Sequence, residues 1–457
     1  MTNPKLPRAP RVPGHPILGC LPEFRRDALD YYRGCHARFG DVFEVRFVTQ
    51  PVVTIAHPDG IQRVLQLNHL NYQRAPFINA LFIRLTGMNL FTLDGPSWLA
   101  ERRLLQPAFH RTRIQAFGTT MVSAAERLLD DWRTAARAAG GTANVDMQAE
   151  MRRVTMAVVG RSLFSVDFSG DAAEMGRAML ATTDFFEYRS RRFLAPPAWV
   201  PTRRNRDLAH AKGVLTARMQ ALIDERRSGG EERDDFLGLL LGLRDAETGE
   251  AMTDVQLRDE LGIMFGAGHE TTANTLTWAW HLLTTHPAVL DRARDELRRV
   301  VGDRLPTMDD LPALPFLRAV VDETLRLFPP AWAMSRQAID DDEVMGFRVP
   351  AHVTLTLLPY LAHHDPRFWD APEAFRPERF LDGAGPSHPF AYAPFGGGPR
   401  KCIGEQFALT EAQLILATLL PRVEATPLAP DAVEADTGFT LQVAGGLAMG
   451  VRVTHEA

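Results

Sequence analysis

The stretch Phe395-Gly396-Gly397-Gly398-Pro399-Arg400-Lys401-Cys402-Ile403-Gly404 decides how this chain is read. Three glycines and a proline force a non-helical loop. Residues 405–420 are rich in helix formers, so Cys402 is presented from a tight loop near a helix N-terminus. Partial positive charge at that end, with free backbone N–H groups, favours thiolate over thiol. A thiolate on a loop that lets a large flat ligand come close suggests an axial ligand to haem iron, onto which it pushes electron density. The plain alternative is a buried packing cysteine beside a glycine-rich turn. A phosphate loop is excluded, because neither Gly-Lys-Ser/Thr nor a strand-to-helix Gly-x-Gly-x-x-Gly is present.

The spacing Phe-x-x-Gly-x-Arg-x-Cys-x-Gly resembles the haem-binding signature of the cytochrome P-450 haem-thiolate monooxygenases, and Phe395, Gly398, Arg400, Cys402 and Gly404 match its fixed positions. The resemblance extends from about Arg11 to Arg452. It implies a mainly α fold with small β-sheets (α+β) and a long central helix over the haem. It also implies haem b as cofactor with Cys402 as axial ligand, and dioxygen as co-substrate.

Working outward, the 457 residues allow up to three average domains or one large one. Hydrophobic residues make up 45% and charged residues 23%, an ordinary globular balance. A net charge of −5 gives a nucleic-acid partner no bulk electrostatic support. The cysteines are Cys20, Cys35 and Cys402, an odd and sparse set that argues for a reducing compartment. No apolar run has membrane-spanning length. Residues 1–22 read as a proline-rich, extended lead-in, and residues 23–457 as a single domain. The expected protein is soluble, cytoplasmic and monomeric.

Residues 42–48 and 52–56 are β-branched and flank Gln50-Pro51, which predicts a hairpin. Residues 58–299 read as mainly helical, and a helix over 318–327 ends before Pro329-Pro330. The stretch 344–358 is β-rich. Residues 439–443 and 448–453 flank Gly445-Gly446 and predict a terminal hairpin.

Thr253-Asp254-Val255-Gln256 has the form of a capping box opening a helix over 254–285, roughly 48 Å long and apolar over much of its surface, which marks it as buried. Its centre, Gly266-Ala267-Gly268-His269-Glu270-Thr271-Thr272, holds poor helix formers. That weakness predicts a local opening or bulge filled by threonine hydroxyls and water. An acid beside an alcohol there could hold water and deliver protons. The resemblance implies this role for Glu270 and Thr271, within a pattern matched by Ala267, Gly268, Glu270, Thr271 and Thr272. The plainer reading makes Gly-x-Gly a close-packing point and Glu270 a solvated charge. His269 reads as a packing or polar-lining residue.

Glu323 and Arg326 lie at i, i+3, which alone denotes an ordinary surface pair. The family joins them to an arginine of a second motif, here Arg379 in residues 375–380, as a structural network. Trp98 and Arg102, at i, i+4, match the family's propionate-binding pair, while Arg400 and Arg336 match arginines that complete that clamp. Core packing is the alternative for Trp98. The adjacent His363-His364-Asp365 reads as a structural turn rather than a metal site.

Family substrate pockets would draw here on Phe77, Phe82, Ala267, Ala331, Ala333 and Phe439, all apolar, which predicts an apolar small-molecule substrate. Leu327-Phe328-Pro329-Pro330-Ala331-Trp332 is similar to bacterial members that hydroxylate carotenoid rings, and general features resemble fatty-acid hydroxylases. A terpenoid or carotenoid is the expected substrate. Electrons would come from a ferredoxin or flavodoxin with its reductase, docking on Arg400, Lys401, Arg103, Arg111 and Arg113. Between Arg189 and Arg206, arginines flank an apolar, proline-rich centre with Trp199. It reads as an exposed loop or as a lid in peripheral contact with membrane lipid. Peroxide-using or hydroperoxide-rearranging chemistry at the same site, and a non-catalytic haem-binding sensor, are the competing functions. The first has no need of Glu270-Thr271.

Overall fold

The computed structural model describes residues 6–166, 173–190, 196–197, 199–229, 233–244, 248–381 and 385–454. Its strands are β1 Val42–Phe47, β2 Gln50–Ile55, β3 Tyr72–Gln73, β4 Ala143–Asp146, β5 Met334–Ala338, β6 Asp342–Val344, β7 Phe347–Val349, β8 Thr354–Leu357, β9 Val423–Pro427, β10 Ala435–Thr437, β11 Leu441–Val443 and β12 Ala448–Val453. Helices supply most of the remaining regular structure. The chain forms two compact units, one from Met1–Phe82 and Glu323–Ile403, the other from Ile83–Asp322 and Gly404–Ala457.

The first unit is built on a five-stranded sheet in the order β1-β2-β8-β5-β3, with the separate pair β6-β7. β1 and β2 form the expected antiparallel hairpin, Val42 opposite Ile55. β2 runs parallel to β8, and β8 antiparallel to β5. Alternation sends Val53 and Ile55 of β2 and Leu355 and Leu357 of β8 into one core with Ile61, Val64 and Phe390. Arg336 is therefore carried on a strand with neighbours on both edges, β8 and β3, which fixes its backbone.

The second unit is mainly helical. The helix Asp254–Thr285 runs unbroken for 32 residues. Thr253 and Gln256 close the reciprocal capping box that the sequence predicts. The helix packs along Met147–Phe164. Gly268 packs tightly against it, since a Cβ there would lie 3.3 Å from Val159 Cγ2, whereas one at Gly266 would meet nothing within 4 Å. The close-packing reading of that glycine is therefore correct.

Two sequence expectations are corrected. The helix does not open at residues 266–272. The Thr271 and Thr272 hydroxyls instead donate to the carbonyls of Ala267 and Gly268, at 2.7 and 3.1 Å, a back-bonding that satisfies threonine inside an intact helix. The terminal hairpin also pairs differently. β11 joins β10, whereas β12 lies between β4 and β9. β12 buries Met449, Gly450 and Val451 and takes partners on both edges, one of them some 300 residues upstream, which no local pattern encodes.

No helix among the described residues is long and apolar enough to cross a membrane. Of the segment between Arg189 and Arg206, residues 191–195 and 198 lie outside the described residues; Trp199 is 83% exposed.

Candidate active site

The cysteine loop belongs to the first unit. Of the three thiols, Cys402 is exposed and Cys20 and Cys35 are buried. The Cys402 N–H donates to Phe395 O at 3.0 Å, closing the loop on itself. Gly398 sits at φ +66°, and a Cβ there would fall 2.0 Å from Leu65 O. Only glycine allows that approach. Gly404 caps the helix Glu405–Leu419, so the sulfur stands two residues before a helix N-terminus, as read from the sequence.

A buried frame in the same unit braces this loop. Arg326 Nε and Nη2 donate to the two Glu323 oxygens at 2.6 and 2.8 Å, with both side chains fully buried. Arg379 Nε donates to Glu323 Oε1 at 2.9 Å, as does the Arg376 N–H. Arg326 Nη1 reaches the carbonyls of His363 and Pro372. The three residues implied by the family motifs are thus brought together. The sequence did not reveal that His363 extends the frame. Its Nε2 accepts the Ala393 N–H at 2.9 Å, so Nδ1 carries the hydrogen and donates to Arg326 O. Burial pushes His363 down to about 3, which keeps it neutral in this role. Ala393 lies two residues before Phe395, so the frame ends at the loop.

His36, Asp41 and Asp365 have ligand atoms close enough together for a metal ion. Arg367, however, donates to both aspartates, and the cluster is an ion-pair network.

Trp98 and Arg102 occur in the second unit, one turn apart on Gly95–Leu105, with Trp98 buried. Arg336 and Arg400 belong to the first. Arg336 is buried on β5 and donates to Ser335 O, while Arg400 ends a 3-10 turn in the cysteine loop. Of the apolar candidates, Phe82 is buried and Phe77 exposed, Ala331 and Ala333 are half-buried, and Ala267 is exposed near the middle of the long helix. Phe439 meets Phe186 edge-on, centroids 4.5 Å apart.

Glu270 is buried, not a solvated charge. Its Oε1 accepts the Thr440 hydroxyl at 2.6 Å. His269 is buried against Phe265 with Nδ1 at 2.9 Å from Phe265 O, and burial lowers it to about 4. That agrees with a packing role.

Three further acids escaped sequence reading. Glu411, inside the apolar helix Glu405–Leu419, is fully buried; burial pushes it well above the usual carboxylate range and the Thr272 hydroxyl offsets part of this. Glu260 accepts the Leu90 N–H at 2.5 Å. Burial, then the Glu101 carboxyl, raises it strongly, and burial raises Glu101 too. Folded protein therefore keeps a proton that the unfolded chain releases above its ordinary value of 4.5. Stability falls as pH rises from there through neutrality. Glu260→Gln, whose amide oxygen still accepts from Leu90, is expected to flatten that fall. Melting temperatures of both proteins should converge near pH 4.5 and diverge, variant higher, at pH 8. Parallel curves would contradict the raised protonation of Glu260.

An exposed sulfur on a fixed glycine loop, backed by a rigid frame, fits a haem-thiolate centre. Comparison with known proteins agrees. The family described as Cytochrome P450 matches residues 9–442. Cyclooctat-9-en-7-ol 5-monooxygenase of Streptomyces melanosporofaciens is 33% identical over 417 residues, covering 90% of this chain and 88% of that protein. Pentalenene oxygenase of Streptomyces avermitilis is 31% identical over 424 residues, covering 91% of each. The crystal structure of the cytochrome P450DA heme domain superposes with a TM-score of 0.88 at 26% identity, covering 98% of each chain. The chain belongs to the cytochrome P450 family. It is an oxygen-incorporating oxidoreductase with haem b as prosthetic group and dioxygen as co-substrate, binding hydrophobic substrates and drawing electrons from a redox partner.

Proposed function

We propose that this enzyme hydroxylates or epoxidises an apolar terpenoid. The observation that carries the reading is the buried Glu270 fixed beside Thr271, with the exposed Ala267 one turn before Thr271 on the same helix. The apolar character of Ala267, Phe439 and Phe186 supports it, and so do the two relatives, which modify terpenoids.

Haem, when bound, supplies the oxygen chemistry, with thiolate ligation favouring O–O cleavage. Cys402 would be its ligand. Arg336 and Arg400, on the unit that carries the cysteine loop, would offer charge-assisted donors to its propionates. Glu270 holds the proton that the reaction consumes, and the Thr271 hydroxyl passes it on after releasing the Ala267 carbonyl. The relay favours monooxygenation over peroxide-driven oxidation, which needs no proton delivery.

A ferredoxin or flavodoxin with its reductase would supply electrons, steered by Arg400 and the exposed Lys401. Lys401→Glu is expected to slow reduction and weaken its salt dependence. An unchanged rate at every ionic strength would remove this surface from the docking site.

Optical titration of the holoprotein against terpenes, carotenoids and fatty acids tests the substrate class. A high-spin shift with terpenes and none with fatty acids is the expected outcome. The reverse pattern would overturn it. Glu270→Gln is expected to divert consumed dioxygen to peroxide, by up to about 100-fold in the proton-dependent step. Coupling equal to that of the parent would exclude Glu270 as the acid.

A further inference from the structure

We infer that Thr440 is the positioning residue that holds Glu270 for proton transfer, with Asn274 setting the direction of its hydrogen bond. The inference rests on Glu270 being the acid of the reaction, as proposed above. Glu270, Thr440 and Asn274 are all buried, Asn274 completely. Thr440 Oγ1 lies 2.6 Å from Glu270 Oε1 and 3.0 Å from Asn274 Nδ2.

A hydroxyl has one proton to give. The Asn274 amide donates to Thr440 Oγ1, so the Thr440 proton points at Glu270 and makes Oε1 an acceptor. Asn274 Oδ1 has no partner among the described residues. Turning the amide over supplies the complementary set, in which Thr440 donates to Oδ1 and accepts from a protonated Glu270. Thr440 and Asn274 can thus meet Glu270 Oε1 with or without its proton, a property that rests on the hydroxyl at position 440.

Glu270 and Asn274 are one turn apart on the helix Asp254–Thr285, so both face the same loop residue. Thr440 sits between two anchored neighbours. Phe439 meets Phe186 edge-on, and Leu441, fully buried, begins β11. The hydroxyl is therefore placed by the loop rather than by its own rotamer alone.

Three holoprotein variants test this: Thr440→Val, Thr440→Ser and Glu270→Gln. Infrared difference spectra across a pH titration report the carboxyl directly, and the band lost in Glu270→Gln identifies Glu270. That band is expected to shift in Thr440→Val and to return in Thr440→Ser, at unchanged melting temperature for the serine variant. Peroxide released per dioxygen consumed, with reductant and no organic substrate, is expected to rise in Thr440→Val as it does in Glu270→Gln, and to be restored in Thr440→Ser. A Glu270 band and peroxide yield unmoved in Thr440→Val, with Glu270→Gln uncoupled, would overturn the role of Thr440 alone. Normal coupling in Glu270→Gln would overturn the acid assignment beneath it. A serine variant as impaired as valine would also overturn the inference, because the hydroxyl would then not be what matters.

Discussion

Arg326→Ala is expected to lose about 3–5 kcal/mol of folding stability, and the haem with it. This guanidinium donates five hydrogen bonds: two to Glu323 and one each to the carbonyls of His363, Pro372 and Ala374. Its removal leaves Glu323, itself fully buried, to Arg379 and the Arg376 N–H. A buried charge stripped of its main partner is costly, because neither water nor another donor can replace it. The loss is a large fraction of the 5–15 kcal/mol that holds a typical domain. Damage should concentrate at the cysteine loop, since Arg326 Nη1 holds the His363 carbonyl and His363 Nε2 accepts the Ala393 N–H. Arg326→Lys should rescue little, because an ammonium cannot present a planar fork to both carboxylate oxygens. Denaturant unfolding and the haem retained after gel filtration would measure this. A loss below about 1 kcal/mol, the range of an exposed pair, would contradict the buried frame.

Cys402→Ser is expected to abolish dioxygen-dependent turnover and the thiolate-type carbon monoxide spectrum. Serine keeps the size and the loop, and Gly398 still passes Leu65 O, so the fold should survive. What would disappear is the soft sulfur ligand that, as thiolate, would push electron density onto the haem iron. Cys20→Ala and Cys35→Ala are the controls. Both thiols are buried, and their replacement should leave the spectrum unchanged. A thiolate-type spectrum persisting in Cys402→Ser would remove Cys402 as the ligand.

Much of the site was legible because each motif is compact. The cysteine decad is ten consecutive residues, and its constraints are local: a loop hydrogen bond from Cys402 to Phe395, and a helix starting at Glu405. The long helix was legible to the residue because its capping box and its terminal His286-Pro287 lie within the same stretch. Glu323 and Arg326 needed the family motif, since i, i+3 charge pairs cover countless exposed helices. The expected opening at Gly266–Thr272 failed because propensity counts glycine as weak, whereas packing against Val159 rewards its missing Cβ.

The amino-acid sequence by itself determined the cysteine loop, the helix that carries Glu270 and the β1–β2 hairpin, since the hydrogen bonds that define them join residues close in the chain. Only the tertiary structure decided that Glu270 is buried against Thr440, 170 residues away, that Glu260 answers Leu90 across the same separation, and that β12 pairs with β4 rather than β11. Such partners meet because loops close and cores pack. A side chain's burial, and with it the state of its proton, follows from which distant residue arrives beside it.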